Sequence, residues 1–394
     1  MKLLITFGTR PEAIKMAPVI LAARSNPRYH TRICVTAQHR ELLDQVLAFF
    51  SIVPDYDLDL MADNQHLSSL SAKILAGFKD VLQQERPDLV LVQGDTVSTF
   101  IASLAAFYER IPVAHVEAGL RTYELSAPFP EECMRQLVSR LAKLHFAPTE
   151  KNRDFLLAEG VSPECIFVTG NTVVDALHWT RNKLAELPSS YFTSLWGRAR
   201  TAIESSDRLI LVTGHRRESF GDGLRNICMA LRRIAQRHPD VHILYPVHPN
   251  PNVSSLVEEL LDNWGNIYLL QPLDYCSFVY LMNRSYMIIT DSGGIQEEAP
   301  ALNKPVLVTR FVTERQEGLD SGVARLVGTD QEKIVEEAEL LLNSSSYYAK
   351  FAHRKNPYGS GNAAIQIMSI LDAWLCNPTH LSAPSELSRP HGWA

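Results

Sequence analysis

The sequence predicts an α/β protein made of two doubly wound, mostly parallel sheets in tandem. Short apolar runs alternate with longer amphipathic segments, which is the pattern of repeated βαβ units. The alternation stops in a loose stretch around Leu187–Ser206 and then restarts, so the pattern describes two units. The length of 394 residues also fits two domains, since a domain usually has about 100–200 residues.

The strands of the first unit are predicted from apolar runs separated by helical patterns. These runs are Leu3–Phe7, Arg32–Thr36, Leu89–Gln93, Val113–Val116, His145–Ala147 and Ile166–Thr169. The helical patterns between them are Glu12–Arg24, Glu41–Phe50, Leu67–Gln84 and Thr96–Glu109. The second unit has strand candidates at Leu209–Thr213, His242–Val247, Ile267–Leu270, Met287–Thr290 and Pro305–Thr309.

We predict an N-terminal domain over residues 1–170 and a C-terminal domain over residues 171–363. A helix at about 364–376 is expected to join the N-terminal domain, and the proline-containing tail 377–394 is expected to be flexible. Open α/β sheets bind ligands beyond the carboxyl ends of their strands. The active site is therefore expected in the cleft between the domains, and residues directly after strands are the functional candidates.

Composition excludes several classes of protein. Lys and Arg number 38 against 44 Asp and Glu, giving a net charge of −6, and no basic stripe indicates nucleic acid or a membrane surface as a partner. The six cysteines are scattered without a CxxC pair, so we expect reduced thiols. No apolar run approaches the ~18 residues of a membrane span, and no signal-peptide pattern is visible. These features predict a cytoplasmic protein.

Two turns carry the cations that an anionic ligand would need. Arg10 and Lys15 lie beside Gly8 after the first strand, and the exposed amides of a helix start favour anions there. His215 and Arg216 follow Gly214 after the first strand of the second unit, where an arginine suits a phosphate. Ordinary surface cations on a β–α turn are the alternative. A metal site is disfavoured because His215 has no second ligand four residues on.

Three carboxylates follow strand ends or open a helix in the first unit: Asp95 in QGDT, Glu117 in HVEAGLRT and Glu131 in PFPEE. Acids at one sheet edge raise one another's pKa and suit general acid/base catalysis. For any single acid, a helix cap or a solvated helix start is the commoner role. Both interpretations stay open from the residues alone.

The strongest single signature is the run TDSGGIQEE. Amides of Ser292, Gly293 and Gly294 can surround a diphosphate because no side chains obstruct them. Glu298 could accept the hydroxyl groups of a ribose, and Arg315 in TER is a further phosphate candidate. The run indicates a nucleoside diphosphate as the ligand.

The motifs, in their order, resemble those of the bacterial non-hydrolysing UDP-N-acetylglucosamine 2-epimerases. The resemblance runs from about Lys2 to about Trp374 and rests on FGTRPEAIKMAP, VTAQHRELLDQV, QGDT, HVEAGLRT, PEE, VTGHRRESFG, YPVHPNPNV, TDSGGIQEEAP, KPVLV, TER and NPYG. It implies two Rossmann-like domains of the GT-B type, an enzyme without cofactor or metal, and a homodimer. The chain departs from the family at Leu273, near a frequent glutamine, and at Gln316, where proline is usual.

The resemblance also implies a role for individual residues. Acid/base and related catalytic roles fall on Asp95, Glu117, Glu131 and His215. Contacts to UDP fall on Arg10, Lys15, Phe278, Ser292, Gly293, Gly294, Glu298 and Arg315, with Phe278 against the uracil ring. A second, activating UDP-GlcNAc site matches Gln38, Glu131, Arg216 and His248.

The implied reaction is the reversible conversion of UDP-N-acetylglucosamine to UDP-N-acetylmannosamine, which supplies sugars for cell-surface polysaccharides. The C2–H bond is not α to a carbonyl, so direct deprotonation is unfavourable. Anti elimination of UDP to 2-acetamidoglucal, followed by syn re-addition, gives an easier route. A hydrolysing 2-epimerase and a GT-B glycosyltransferase are the alternatives, and a UDP-sugar sensor without catalysis is a third, weaker one.

Overall fold

The computed structural model describes residues 1–36, 40–60, 65–188, 190–193, 196–216 and 219–376. Two features predicted from the sequence lie outside these residues: Gln38 of the expected activating site, and the tail 377–394.

Seven parallel strands form the first sheet. They are β1 (Lys2–Phe7), β2 (His30–Val35), β3 (Tyr56–Asp57), β4 (Leu89–Gln93), β5 (Val113–Val116), β6 (Leu144–Ala147) and β7 (Ile166–Val168). Their order is β3-β2-β1-β4-β5-β6-β7. The chain reverses its direction of winding between β1 and β4, so loops diverge there and leave a crevice at the carboxyl ends.

The second sheet repeats this topology with six parallel strands. They are β8 (Leu209–Thr213), β9 (His242–Pro246), β10 (Ile267–Leu270), β11 (Met287–Thr290), β12 (Val306–Val308) and β13 (Ala324–Leu326). Their order is β10-β9-β8-β11-β12-β13, which places the reversal between β8 and β11. The two candidate ligand turns of this unit follow those two strands.

Helices connect the strands of both sheets. In the first half they are α1 (Arg10–Ser25), α2 (Arg40–Phe49), α3 (Leu67–Glu85), α4 (Val97–Tyr108), α5 (Glu131–Leu141), α6 (Glu150–Ala158), α7 (Thr172–Leu184), α8 (Ser190–Thr193) and α9 (Arg200–Ser205). In the second half they are α10 (Asp222–Arg237), α11 (Pro251–Leu261), α12 (Tyr275–Arg284), α13 (Gly293–Glu298), α14 (Gln316–Asp320), α15 (Gln331–Asn343), α16 (Ser345–Ala352) and α17 (Ala363–Leu375). None of the helices described is long and apolar enough to span a membrane.

Helix α7 joins the two halves of the molecule. It packs against α1 and α17 on one side and against α12 and α13 on the other. One apolar cluster consequently runs from first-sheet residues such as Ile5 to second-sheet residues such as Ile288, both fully buried. Asp175 of α7 fixes the start of α17, since its carboxylate accepts the N–H groups of Ala363 at 3.1 Å and Ala364 at 2.9 Å.

The strands and helices named from the sequence are present in the structure, with bounds shifted by no more than two residues. Strands β3 and β13 were not predicted. Each lies at a sheet edge, is only two or three residues long and contains a charged residue, so neither produces a visible apolar run. The proposed boundary at residues 170 and 171 stays a prediction; the first sheet lies before it, the second after it, and α7 contacts helices of both.

Gly119 provides a test of the backbone beside the site. Its φ is +90°, and a Cβ there would lie 2.3 Å from the carbonyl oxygen of Asn152, whereas Gly160 has φ +81° and open space around it. A left-handed conformation costs a non-glycine residue about 1–2 kcal/mol. We expect Gly160→Ala to lose about that much stability and Gly119→Ala to lose at least ~3 kcal/mol, because backbone must also move. Equal losses in urea unfolding would contradict the predicted clash.

Candidate active site

The candidate site begins where three neighbouring strands end. Gly8, Thr9 and Arg10 follow β1, Gly94 and Asp95 follow β4, and Glu117 follows β5. Because β1, β4 and β5 are adjacent and parallel, their carboxyl ends meet at one edge of the sheet. The sequence prediction that these turns share one mouth agrees with this topology.

Glu12 holds two of these turns together from inside the protein. Its Oε2 accepts the N–H groups of Gly8 at 2.9 Å and Thr9 at 2.8 Å. Its Oε1 accepts the hydroxyls of Thr96 at 2.6 Å and Thr99 at 2.9 Å. Burial raises the pKa of Glu12 above its ordinary value, and these hydrogen bonds offset that effect only in part. The carboxylate therefore couples the Arg10 turn to the Asp95 turn.

Glu117 is buried at the end of β5, and its side chain is held by an ion pair. Lys15 Nζ donates to Glu117 Oε2 at 2.5 Å, and Gln93 Nε2 donates to the same oxygen at 3.0 Å. Glu117 also has φ +65°, a left-handed conformation that is uncommon for residues other than glycine. Such conformations persist where surrounding contacts determine them and often occur at active sites.

The ion pair of Glu117 continues to the second half of the chain. Lys15 Nζ lies 3.2 Å from Oε2 of Glu297, which belongs to α13. Asn171 Nδ2 donates to Glu297 Oε2 at 3.2 Å and reaches Glu117 Oε2 at 3.4 Å. Arg315 Nε donates to Glu297 Oε1 at 2.9 Å. A buried network therefore connects the ends of both sheets.

Gly293 is required where Arg315 crosses the start of α13. A Cβ at this position would lie 2.9 Å from Arg315 Cζ, so a larger residue would displace the guanidinium. Arg315 Nη1 also donates to Glu314 at 2.5 Å. The two cations Arg315 and Arg310 hold the pKa of Glu314 down, to about 2, although burial opposes this.

Asp95 is held by Arg135 of α5. Arg135 Nε donates to Asp95 Oδ2 at 3.1 Å, its Nη2 reaches the same oxygen, and its Nη1 contacts the buried Glu132 at 3.2 Å. Glu131 opens α5, one helical turn before Arg135. Asp95 is thus tied to the helix that Glu131 opens, and no hydrogen bond joins either acid to Glu117 in the described part of the chain.

His115 supports the turn that carries Asp95. Its Nε2 lies 2.7 Å from the carbonyl oxygen of Gly94, and the ring is fully buried. Burial lowers the pKa of His115 to about 3, so the ring is neutral at physiological pH and donates to that carbonyl.

His215 lies on the opposite side of the cleft, above Asp291. The N–H groups of His215 and Arg216 donate to Asp291 Oδ2 at 2.7 and 2.8 Å. His215 Nδ1 lies 3.4 Å from Asp291 Oδ1. The His215 ring stacks on His248 with a centroid separation of 5.3 Å. Asp291 therefore sets the position of a half-exposed imidazole.

Glu298 is buried beside a tyrosine and an arginine. Tyr275 donates its hydroxyl to Glu298 Oε1 at 2.7 Å. Burial raises the pKa of Glu298 to about 7, although the Tyr275 hydrogen bond lowers it. Burial also lowers the pKa of Arg10, whereas Glu298 and Asp274 raise it. Phe278 lies on α12 with Tyr275 and is half-buried.

Two residues differ in detail from their predicted environment. Lys15 was expected at UDP, but in the structure it is buried between two carboxylates. Ser292 was expected to direct its amide at a diphosphate, but that N–H donates to Thr290 Oγ1 at 2.9 Å. The amides of Gly293 and Gly294 lie in the first turn of α13, where a helix has no internal acceptor for them. The ligand contacts of all these residues stay predictions.

Sequence reasoning did not identify several residues that build the site: Glu12, Arg135, Asn171, Asp291 and Glu297. One signal was available for Arg135, because it stands one helical turn after Glu131. A signal was also available for Glu12, because Thr9 and Glu12 have the spacing of a capping box. The other three have site partners that are distant in sequence, as in the pair Asn171 and Glu297, which are 126 residues apart. Within the described ranges, no group of three or more His, Cys, Asp or Glu residues could hold a metal ion.

Comparison with known proteins agrees with this geometry. The family model described as UDP-N-acetylglucosamine 2-epimerase matches residues 21–372. The chain belongs to the UDP-N-acetylglucosamine 2-epimerase family. A curated member from Yersinia pestis is 53% identical over 371 residues, covering 94% of this chain and 98% of that protein.

Solved structures of the family have the same fold. The UDP-GlcNAc 2-epimerase of Neisseria meningitidis, crystallised with UDP-GlcNAc, has a TM-score of 0.88 and 47% identity, covering 96% of this chain and 100% of that one. The Methanocaldococcus jannaschii enzyme, in complex with UDP-GlcNAc and UDP, has a TM-score of 0.78 and 32% identity, covering 95% of this chain and 100% of that one. The predicted α/β fold, with two Rossmann-like doubly wound units of the GT-B type, is confirmed.

Glu298 and its neighbour Glu297 are expected to affect stability with opposite signs. The pKa of Glu298 in the folded protein, about 7, exceeds the pKa of a glutamate in the unfolded chain. The folded protein therefore loses stability as pH rises from the unfolded pKa through 7, because the buried carboxyl must then become an anion. Glu298→Gln should therefore gain about 2–3 kcal/mol of unfolding free energy relative to wild type between pH 5 and pH 8. A difference that does not change with pH would contradict this.

Glu297 is the matched comparison. Lys15 and Arg315 lower its pKa against the opposing effect of burial, so its contribution is present above the unfolded pKa and is lost as pH falls. Glu297→Gln should be less stable than wild type at pH 8. Urea unfolding of both variants at both pH values measures the two signs.

Proposed function

We propose that the protein catalyses the reversible C2 epimerisation of UDP-N-acetylglucosamine to UDP-N-acetylmannosamine without releasing free sugar. The observation that carries this proposal is the buried Glu117, held by Lys15 at the strand ends of one sheet, with cations and a glycine-rich helix start on the facing sheet. Membership of the family, including members crystallised with UDP-GlcNAc, supports the substrate. The reaction places this enzyme among those that supply sugars for surface polysaccharides.

The nucleotide is proposed to bind to the second unit. Glu298 would accept the ribose hydroxyls, and Phe278 on the same wall would lie against uracil. The amides of Gly293 and Gly294 at the start of α13, with Ser292 beside them, would contact the diphosphate. Positive charge around it would come from Arg10, Lys15 and Arg315, and His215 would lie beside it. These cations stabilise UDP as it leaves, and such preorganised contacts contribute several kcal/mol.

The chemistry proceeds by elimination and re-addition. A carboxylate removes the C2 proton as the C1–O bond breaks, the electron pair of the C2–H bond forms the C1=C2 double bond, and UDP departs with the electrons of the C1–O bond. The intermediate is 2-acetamidoglucal. An acid then delivers a proton to the opposite face of C2, and a phosphate oxygen of UDP re-forms the bond to C1. Atoms and charge balance without an external oxidant or metal.

Asp95, Glu117 and Glu131 are proposed to divide these proton transfers. Burial and the charge of Glu297 raise the pKa of Glu117, whereas Lys15 and Arg315 lower it, and the net shift is upward. A raised pKa suits a carboxyl that has to hold a proton as well as release one. Asp95 is held in place by its ion pair with Arg135. Glu131 is partly exposed at the start of α5.

We further propose that the protein is a cytoplasmic homodimer activated by its own substrate. Arg216 has a buried Nε without a hydrogen-bond partner among the described residues, and His248 stacks on His215 beside the expected diphosphate position. An activating UDP-GlcNAc molecule at Arg216, His248 and Gln38 is consistent with both observations.

Exposed Phe107 and Tyr108 on α4 and Leu137 on α5 offer an apolar surface for a second copy. Buried free thiols, such as that of Cys228, suit a reducing compartment.

Solvent isotope incorporation tests the elimination route. In D₂O, each interconversion should replace the C2 proton of the sugar by deuterium, because the proton removed exchanges before another is delivered to the opposite face. Proton NMR and mass spectrometry of the UDP-sugars measure this. Epimer that retains protium at C2 would contradict the route. Free N-acetylmannosamine would indicate a hydrolysing enzyme, and transfer to an acceptor would indicate a glycosyltransferase.

Glu117→Gln tests the role of the buried carboxylate. The amide keeps the shape but cannot transfer the proton, so kcat should fall at least ~10²-fold. Glu109→Gln, at the end of α4, removes an acid outside the site and should keep wild-type activity. Steady-state rates with UDP-GlcNAc as substrate compare the two variants with wild type. Near-normal turnover of Glu117→Gln would remove Glu117 from the proton-transfer groups.

A further inference from the structure

The buried network around Glu117 depends on a carboxylate from the other half of the chain. We define the interdomain charge cluster as Lys15, Glu117, Asn171, Glu297 and Arg315. Lys15 stands on α1 and Glu117 follows β5, whereas Glu297 stands on α13 and Arg315 precedes α14. Contacts within the cluster therefore join the two sheets.

Two polar donors in the cluster are shared between the same two oxygens. Lys15 Nζ lies 2.5 Å from Glu117 Oε2 and 3.2 Å from Glu297 Oε2. Asn171 Nδ2 lies 3.4 Å from the first oxygen and 3.2 Å from the second. The side chains of Lys15, Glu117 and Glu297 are at most 9% exposed. Removing Glu297 would therefore leave both donors with Glu117 as their carboxylate partner in the cluster.

The charges of the cluster are strongly coupled because water is largely excluded. The charged groups that face Glu117 are Lys15 from α1, Glu297 from α13 and Arg315 next to α14. Burial and the charge of Glu297 raise the pKa of Glu117, and the two cations lower it. Arg315 also faces Glu314 and Tyr358, which lie farther out. The charge of Glu297 is thus the one negative charge of the cluster that acts on Glu117.

We propose that Glu297 is a positioning residue for the proposed acid/base carboxylate Glu117, holding Lys15 and Asn171 against it from the opposite unit of the fold. This inference rests on the function proposed above. Glu297 does not transfer the proton; it sets where Glu117 lies and at what pH that carboxyl changes its charge. Proton transfer then requires the two units to be in contact, because only their contact assembles the cluster.

The test measures the titration of Glu117 with two variants that act in opposite directions. Glu297→Gln removes a negative charge near Glu117 and makes Glu117 the sole carboxylate partner of Lys15 in the cluster. The midpoint of the Glu117 titration should therefore move to lower pH by about one unit or more. Asn171→Asp adds a carboxylate beside Glu117 and keeps the side-chain oxygen that caps α7 through Val173 N. The titration should then move to higher pH.

Infrared difference spectra of the protonated carboxyl band give the titration directly, with the Glu117 band assigned by its loss in Glu117→Gln. The control is Asp175→Asn, which also removes a buried carboxylate; Asp175 lies on α7 and holds the start of α17, outside the cluster. The control should leave the titration midpoint unchanged. In turnover, Glu297→Gln should lower kcat at least tenfold while KM for UDP-GlcNAc changes less than about threefold.

Each outcome decides the proposal. An unchanged midpoint in Glu297→Gln overturns it, as does a shift of the same size in Asp175→Asn. If Glu297→Gln does not fold, Glu297→Asp decides instead, because the shorter side chain keeps the charge but withdraws it from Lys15 and Asn171; an unshifted midpoint with wild-type kcat is then the contrary result. If wild type shows no epimerisation, the proposed function fails, yet the infrared titration still reports whether Glu297 controls Glu117.

Discussion

The structure depends on one constraint: charged groups that are buried between two sheets must each have a well-placed partner. Removing an ion from water costs several kcal/mol, which is recovered only when partners and hydrogen bonds are well placed. Lys15 meets this requirement by contacting Glu117 at 2.5 Å and Glu297 at 3.2 Å. The positions of β1, β5 and α13, and the contact between the halves through α7, are therefore coupled to the electrostatics of the site.

Local sequence patterns predicted most of the fold and the location of the site. Alternating apolar runs identified the long strands, and the glycine and charged residues after them identified the mouth, because strand ends meet at one edge. The patterns did not indicate that Glu117 pairs with Lys15 or that Asn171 contacts Glu297, since those residues are 102 and 126 positions apart. Such contacts follow from strand order and from the packing of α7, which no local periodicity contains.

The pair Glu297 and Glu298 shows why residue type alone is insufficient. Consecutive residues of a helix point about 100° apart, so the two carboxylates face different partners. Glu297 meets Lys15 and Arg315, which lower its pKa, whereas Glu298 meets Tyr275 in a dry environment that raises its pKa to about 7. One carboxylate is a fixed anion and the other is close to its titration point, although the sequence presents them as equivalent.

The same reasoning explains why the site is built from elements that stability alone would not favour. Glu117 occupies a left-handed backbone conformation, and Glu298 is buried next to a tyrosine hydroxyl rather than a cation in direct contact. Both features cost folding free energy. An arrangement that was optimal for stability would leave neither carboxyl ready to change its charge or its partner. A carboxyl that must lose and regain a proton cannot be satisfied equally well in both states. The donors Lys15 and Asn171 are shared between Glu117 and Glu297, so neither carboxylate holds them alone. Glu297 transfers no proton, yet it belongs to the arrangement on which the proposed chemistry of Glu117 depends.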